Sequence, residues 1–461
     1  MSKLMTRPAA EVDYRALRAR VAGSVTTPAD DDWDEARQAW NLAVDQRPAA
    51  VVHVESPSDV LGVVSFARAH GYQIAPQGTG HAAASMGPLD DTILLKTSRM
   101  RGIEIDSERR VARVEAGVLW LELMEAAAPY GLVGLCGSSP DVGVVGYAVG
   151  GGISFLGRKH GLAANSIVAA EIVTADGRLV RADPESEPDL FWAIRGGGGN
   201  FGVVTALEIR LFPITEVYAG SLFFPIERAD EVLAAWRTWV DSVPDEMASV
   251  GRFMQFPPIP DIAAPLRGNS YVLVEAIYQG KEADGAKLLR PLRQLGPTMD
   301  TVAMIPATAL TSVHMDPKHP VPGSGDGMLL DDFTPEAIDA LVTIVPGSPL
   351  LSVEIRHLGG ALRRPGPGHG AVGALDAAFA MFAVGSAMTD ELRVAVDASV
   401  DVVRDALEPW KAETTSASFS ERPTDPRLIW EEHVYHRLRR IKAQVDAGNL
   451  IRANHPIPAA V

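Results

Sequence analysis

Ala75-Pro76-Gln77-Gly78-Thr79-Gly80-His81-Ala82-Ala83-Ala84-Ser85-Met86-Gly87 decides the fold. A short apolar strand, Tyr72 to Ala75, runs into two glycines around a threonine, and a histidine follows at once. Glycine lets a backbone approach a ligand closely, and successive N–H groups make an anion-binding nest. Two further glycine loops follow, Gly143 to Gly152 and Gly196 to Gly202. Tight turns between short strands are the plainer explanation, but three clusters in one stretch of about 200 residues exceed what turn chemistry requires.

The third loop contains Gly197-x-Gly199-x-x-Gly202, the spacing of a dinucleotide fingerprint. That fingerprint needs a strand before it and a helix after it, so that the helix dipole meets the pyrophosphate. Here a helical segment, Asp189 to Ile194, comes first and Val203 to Leu211 reads as strand. A nicotinamide site of that type is excluded by the order.

Outward from these loops the chain alternates short strands and helices. Ala36, Ala39, Trp40 and Ala43 recur at helical spacing, and Ser58 caps a helix striped by Val60, Val63, Val64 and Ala67. Strands are expected at Val51 to Val54, Ile93 to Lys96, Arg110 to Glu115 and Val168 to Thr174, with a helix over Leu119 to Tyr130. After Pro213 longer strands alternate with helices. The strands are Tyr218 to Phe223, Ser249 to Phe256, Tyr271 to Tyr278, Leu351 to Leu358 and Ala377 to Val384; the helices begin at Arg228, Glu282, Pro335 and Asp390. This pattern predicts an α+β unit, an antiparallel sheet covered by helices.

Composition sets outer bounds. The chain has 461 residues with net charge −16, and an acidic surface repels phosphate backbones, which argues against nucleic-acid binding. One cysteine, Cys136, excludes an intrachain disulfide and a cysteine-rich metal site. No carboxylate–histidine spacing argues for a metal. Met1 to Val21 has no apolar signal core and no run is long enough to span a membrane, so the expectation is a soluble cytoplasmic protein.

The glycine segments carry a resemblance. The first loop resembles the flavin loop of the vanillyl-alcohol-oxidase/PCMH superfamily. The same holds, in order, for Ser139-Pro-Asp-Val-Gly-Val-Val-Gly146-Tyr-Ala-Val-Gly150-Gly-Gly152, Arg158-Lys-His-Gly-Leu162, Val173-Thr-Ala-Asp-Gly177, Asp189 to Thr205, and Asn449-Leu-Ile-Arg-Ala-Asn454-His-Pro-Ile457. Together they look like the berberine-bridge-enzyme-like branch, and the match spans about 33 to 215 and 430 to 458. The resemblance implies FAD and a fold of two α/β subdomains plus an α+β substrate domain. The expected division is residues 1–215 for FAD (core about 45–214), 216–429 for substrate, and 430–461 returning to the FAD domain.

It also implies roles. His81 holds the position whose imidazole is bonded to the flavin, and the second tether of some relatives is a cysteine where this chain has Ser139, so one covalent link is expected. Gln77, Gly78, Thr79, Gly80 and Ala82 should contact the cofactor, as should Gly143, Gly146, Gly150 and Gly151. Val203 matches a position near the adenine, and Asn454 should approach the flavin ring. Cys136 reads as a small buried residue, and His160 as packing.

On the substrate side, many bacterial relatives carry Tyr-x-Asn-Phe where this chain has Ser416-Ala417-Ser418-Phe419. The usual proton acceptor is missing. Strand parity offers replacements: in Leu351 to Leu358, Ser352, Glu354 and Arg356 share one face and Val353 and Ile355 the other. Glu354 and Arg356 form a candidate catalytic pair, with a structural ion pair as the alternative. His314 and Asp316 lie in a candidate lid. Tyr435, opening a final helix Tyr435 to Val445, is a further candidate base, with core packing as the alternative. The run Arg437, Arg439, Arg440 and Lys442 reads as the solvated face of that helix. The expected activity is FAD-dependent oxidation of a small or medium organic molecule (an alcohol, sugar, amine or secondary metabolite) with molecular oxygen as acceptor. An oxygenating or rearranging tailoring enzyme and a flavin-binding protein without catalysis are the alternatives.

Overall fold

A computed structural model describes residues 13–460; residues 1–12 of the stretch read at Met1 to Val21 lie outside the described residues. Three sheets organise the chain. The first has the order Ser24–Thr26, Ala50–His53, Thr92–Lys96, Gln73–Gln77; its last three strands are parallel, joined by the helix Pro57–His70. Parallel neighbours need such a crossover. Ser56, not Ser58, caps that helix, accepting from Asp59 N–H, with Pro57 at the first helical position where its missing N–H costs nothing.

The second sheet is antiparallel: Ile103–Asp106, Val111–Glu115, Val203–Arg210, Ile167–Val173, Leu179–Ala182. The helix Pro188–Gly197 does precede the strand Val203–Arg210, as the exclusion of a nicotinamide fingerprint requires.

The third sheet has eight antiparallel strands. At its centre Ser270–Tyr278, Met247–Gln255, Leu350–His357 and Phe379–Ser386 lie side by side. The helices Ala229–Val240, Glu282–Arg293, Pro335–Ile344 and Asp390–Leu407 cover one face, burying Trp236, Leu289, Leu341 and Val400 against Phe253, Val353, Ile355 and Met381. The other face turns toward the glycine loops. The fold is therefore mixed α and β, with the helix-covered antiparallel sheet expected from the pattern.

Four further details differ from the sequence reading. The helix through Ala36 stops there (Trp33–Ala36), and Trp40 is released toward the first glycine loop, where its backbone N–H donates to Thr79 O. The second glycine loop contains a helical segment, Val144–Val149. The strand Gly323–Leu330 was invisible because glycine and aspartate are depleted in strands. A Cβ at Gly327 would meet Met381 O at 2.5 Å, so the close backbone pairing demands glycine there. Lastly, Lys442 is not on a solvated face: it is buried, and its ammonium donates to Asn200 O, Ile451 O and Asp446. It ties the final helix, Glu432–Val445, to the third glycine loop and the tail. The tail then returns to the first sheet, where Ile74 and Ile451 bridge in parallel and Ile74 N–H donates to Leu450 O. Among the described residues no helix is long and apolar enough to cross a membrane.

Candidate functional site

The three glycine loops, the tail and the polar face of the third sheet enclose one cavity of about 440 Å³. The glycines divide by what they face. Gly80 (φ +90°) is fixed by packing, because a Cβ there would lie 2.9 Å from Ala39 Cβ. Gly146 and Gly199 line the cavity, and a Cβ at either would meet nothing within 4 Å. Open space in front of close-packed backbone is a cradle for a ligand.

Unpartnered polar atoms give the same answer. Gln77 Oε1, Tyr147 Oη, Arg356 Nε and both ring nitrogens of His455 are buried without a hydrogen-bond partner, and all four residues line the cavity. Each such group costs on the order of 1–3 kcal/mol unless a ligand satisfies it. A large ligand with many acceptors and donors, such as FAD, fits this lining.

His81 stacks on Trp40 with ring centroids 3.9 Å apart. Its Nε2 lies 3.3 Å from Asp141 Oδ1. Burial pushes the Asp141 carboxyl up, but contacts with His81, Trp40 and Ser139 outweigh it and hold it below the usual range. Trp40 and Asp141 therefore fix the ring of the tether candidate from two sides. Gly78, Thr79, Ala82, Ser139, Gly143, Gly150 and Asn454 also line the cavity, and the Asn454 amide donates to Ala82 O. Gly151 and Val203 do not line it: the Val203 side chain packs in the core beneath the first sheet, while Gly202 and Val204 face the cavity. Cys136 is a buried free thiol in the core, its titration pushed up to about 12 by burial.

Opposite the loops stands a wall of charge. His314 Nδ1 lies 2.7 Å from Glu275 and its Nε2 2.7 Å from Glu354. Arg252 donates to Glu275 (3.1 Å), to Ser352 Oγ (2.7 Å) and to His314 O (2.6 Å). Arg356 donates to both oxygens of Glu354, at 3.1 and 3.3 Å, and its guanidinium lies between the rings of Phe155 and Phe419. Burial and Arg252 push the His314 pKa down, but Glu275, Glu354 and Asp316 outweigh them and raise it to about 9. Burial opposes ionisation of Glu354 as well, yet Arg356 and His314 hold its carboxyl far below the usual range. At neutral pH the wall is thus fully ionised and internally paired. Asp316 accepts from Ser138 Oγ at 2.7 Å and closes the wall onto the second loop.

Of the four candidate bases, Glu354, Arg356 and His314 are brought together on the cavity. Tyr435 is not: it packs half-buried against the core around Leu438, away from the lining, because the final helix turns that face to the third loop. His160 packs on Phe212 and its ring contacts Gln279. Sequence reasoning missed Trp40, Asp141, Arg252, Glu275 and Glu421. Strand parity could have found Arg252 and Glu275, each the charged residue on the inward face of an otherwise apolar strand.

Residues 48–183 match a family described as an FAD binding domain. An uncharacterised FAD-linked oxidoreductase of Bacillus subtilis is 27% identical over 96% of this chain and 98% of its own. The (R)-6-hydroxynicotine oxidase of Paenarthrobacter nicotinovorans is 34% identical over 48% of this chain and 46% of its own. The BBE-like 1 structure from Physcomitrella patens superposes with a TM-score of 0.85 over 97% of this chain and 99% of that one, at 20% identity, which establishes the fold.

Proposed function

We propose that this FAD-linked oxidoreductase, built on the berberine-bridge-like fold, oxidises a small or medium organic substrate carrying an O–H or N–H group, with molecular oxygen as its acceptor. When bound, FAD supplies the two-electron oxidant that accepts a hydride from the substrate carbon. The observation that carries the reading is the single cavity with a glycine cradle on one side and a wall of paired charge on the other. Residues 1–215 and 430–461 form the cofactor-holding part, and 216–429 the substrate part. In this reading His81 is the one covalent tether, aligned by Trp40 and Asp141. The backbones of Gly78 to Ala82, Gly143, Gly146 and Gly150 hold the cofactor, and Asn454 braces the ring side through Ala82.

The wall orients substrate. Arg356 keeps a free Nε–H donor, and the paired His314 and Glu354 offer fixed charge without net excess, which suits an uncharged polar substrate. Orientation of this kind lowers the barrier by preorganising the reacting bond.

The test is anaerobic incubation of the holoenzyme with 6-hydroxynicotine, glucose, N-acetylglucosamine oligomers, benzyl alcohol and benzylamine. Bleaching of the visible flavin band by a member, followed by hydrogen peroxide in equal amount to product on readmitting air, is the expected result. Oxygen-18 from O₂ in the product, without peroxide, would replace oxidation by oxygenation.

A further inference from the structure

The oxidation proposed above needs a group to receive the substrate's O–H or N–H proton. Three carboxylates line the cavity, Asp316, Glu354 and Glu421. Asp316 is engaged by Ser138 and faces His314. Glu354 is engaged by His314 and by Arg356. His314 has a carboxylate at each ring nitrogen and stays protonated, so it cannot accept.

Glu421 is different. No hydrogen bond or ion pair reaches its carboxylate among the described residues. Only its backbone N–H is held, donating to Asp326 Oδ1 at 3.1 Å. The charged groups around it are already matched. Asp326 pairs with Arg404, Arg422 with Asp397 and Asp401, and Arg356 with Glu354. His455, also on the cavity, is kept toward its neutral form by burial. Glu421 follows Phe419 by two positions, just after the short helical turn Ala417–Phe419, whose cap Ser416 stands where the family has its tyrosine.

We propose that Glu421 is the catalytic base of this site. As the substrate's C–H hydrogen leaves with its electron pair to the flavin, the O–H or N–H proton passes to the Glu421 carboxylate. The C–O or C–N single bond becomes double, and the carboxylic acid afterwards gives its proton to water. A base serves best when its pKa lies near the working pH. Burial raises the Glu421 carboxyl to about 7, whereas the wall holds Glu354 too acidic to accept.

The proposal rests on the oxidation reading, and two measurements separate them. The first needs no substrate: infrared pH-difference spectra of the holoenzyme, wild type against Glu421→Gln and Glu354→Gln. A protonated-carboxyl band titrating near pH 7, lost in Glu421→Gln and kept in Glu354→Gln, is expected; its persistence in Glu421→Gln overturns the assignment. The second is anaerobic flavin reduction by whichever compound of the panel above bleaches the wild type. Glu421→Gln should reduce the flavin about 100-fold more slowly and lose the rise in rate through pH 7, and Glu421→Asp should recover part of both. Unaltered reduction in a folded, flavin-loaded Glu421→Gln overturns the base while leaving the oxidation intact. Failure of the whole panel on wild type counts against the oxidation reading and against any base for it.

Discussion

His314 Nε2 lies 2.7 Å from a carboxylate oxygen of Glu354, and that contact closes a buried chain of alternating charge from Arg252 through Glu275, His314 and Glu354 to Arg356. Breaking one member strands the others. Glu275→Gln should cost about 3–5 kcal/mol, measured by denaturant unfolding, because Arg252 and His314 lose a fully buried counter-charge. It also sets a pH dependence. A histidine raised to about 9 contributes stability that is complete below its unfolded value near 6.5 and is lost as pH rises through 9. Wild type should therefore lose more stability between pH 6 and pH 10 than Glu275→Gln; equal losses would refute the charge assignment.

His81 is stacked on Trp40 and faces Asp141. After acid denaturation the yellow colour should stay with the wild-type chain, with an intact mass raised by one FAD, and should be released from His81→Ala. Trp40→Ala should lower the covalently loaded fraction by freeing the ring. Colour released from wild type would make His81 a cradle and not a tether.

Gly146 sits in the helical segment Val144–Val149 and opens onto the cavity. Gly146→Leu removes a helix-weakening glycine, so the apo protein should be no less stable, and by propensity up to about 1 kcal/mol more so. Its flavin content should collapse, because the new side chain occupies the cradle. A variant that loads flavin normally would place the cofactor elsewhere.

Glu421 should destabilise the empty protein at high pH. Below pH 4.5 both folded and unfolded forms carry the proton and it contributes nothing. Between 4.5 and about 7 the unfolded chain releases the proton while the folded one keeps it, so stability falls as pH rises. Above 7 the full cost is present, on the order of 1–3 kcal/mol. Glu421→Gln should raise the unfolding temperature of the apo protein at pH 8 and leave it unchanged at pH 4. A lower unfolding temperature at pH 8 would mean that the carboxylate has a partner.

Much of the site was legible because it is local. The glycine loops announce themselves by composition, and their order against helix and strand rejected the nicotinamide reading. In Leu350–His357 the alternation of side chains placed Glu354 and Arg356 on the face opposite Val353 and Ile355, and the packing agrees. The same rule could have reached Arg252 and Glu275.

Other positions gave no local signal. Trp40 looks like one more apolar residue of a helical stripe, yet it meets Asp141 across 101 residues of chain. Lys442 sits in a basic run that resembles any exposed helix face, and only the return of the tail buries it. Tyr435 has the right chemistry but lies on the wrong face. Glu421 lies in an irregular segment with no period at all.

The sequence by itself determined the order of the loops and the face that each strand turns inward, since these follow from backbone sterics and residue period over a few positions; the cofactor class came from the resemblance those loops carry. Only the tertiary structure decided which charges meet. Pairing between distant residues depends on how sheets and helices dock, and docking also sets whether a charge is solvated, neutralised by a partner, or left alone in the cavity as Glu421 is.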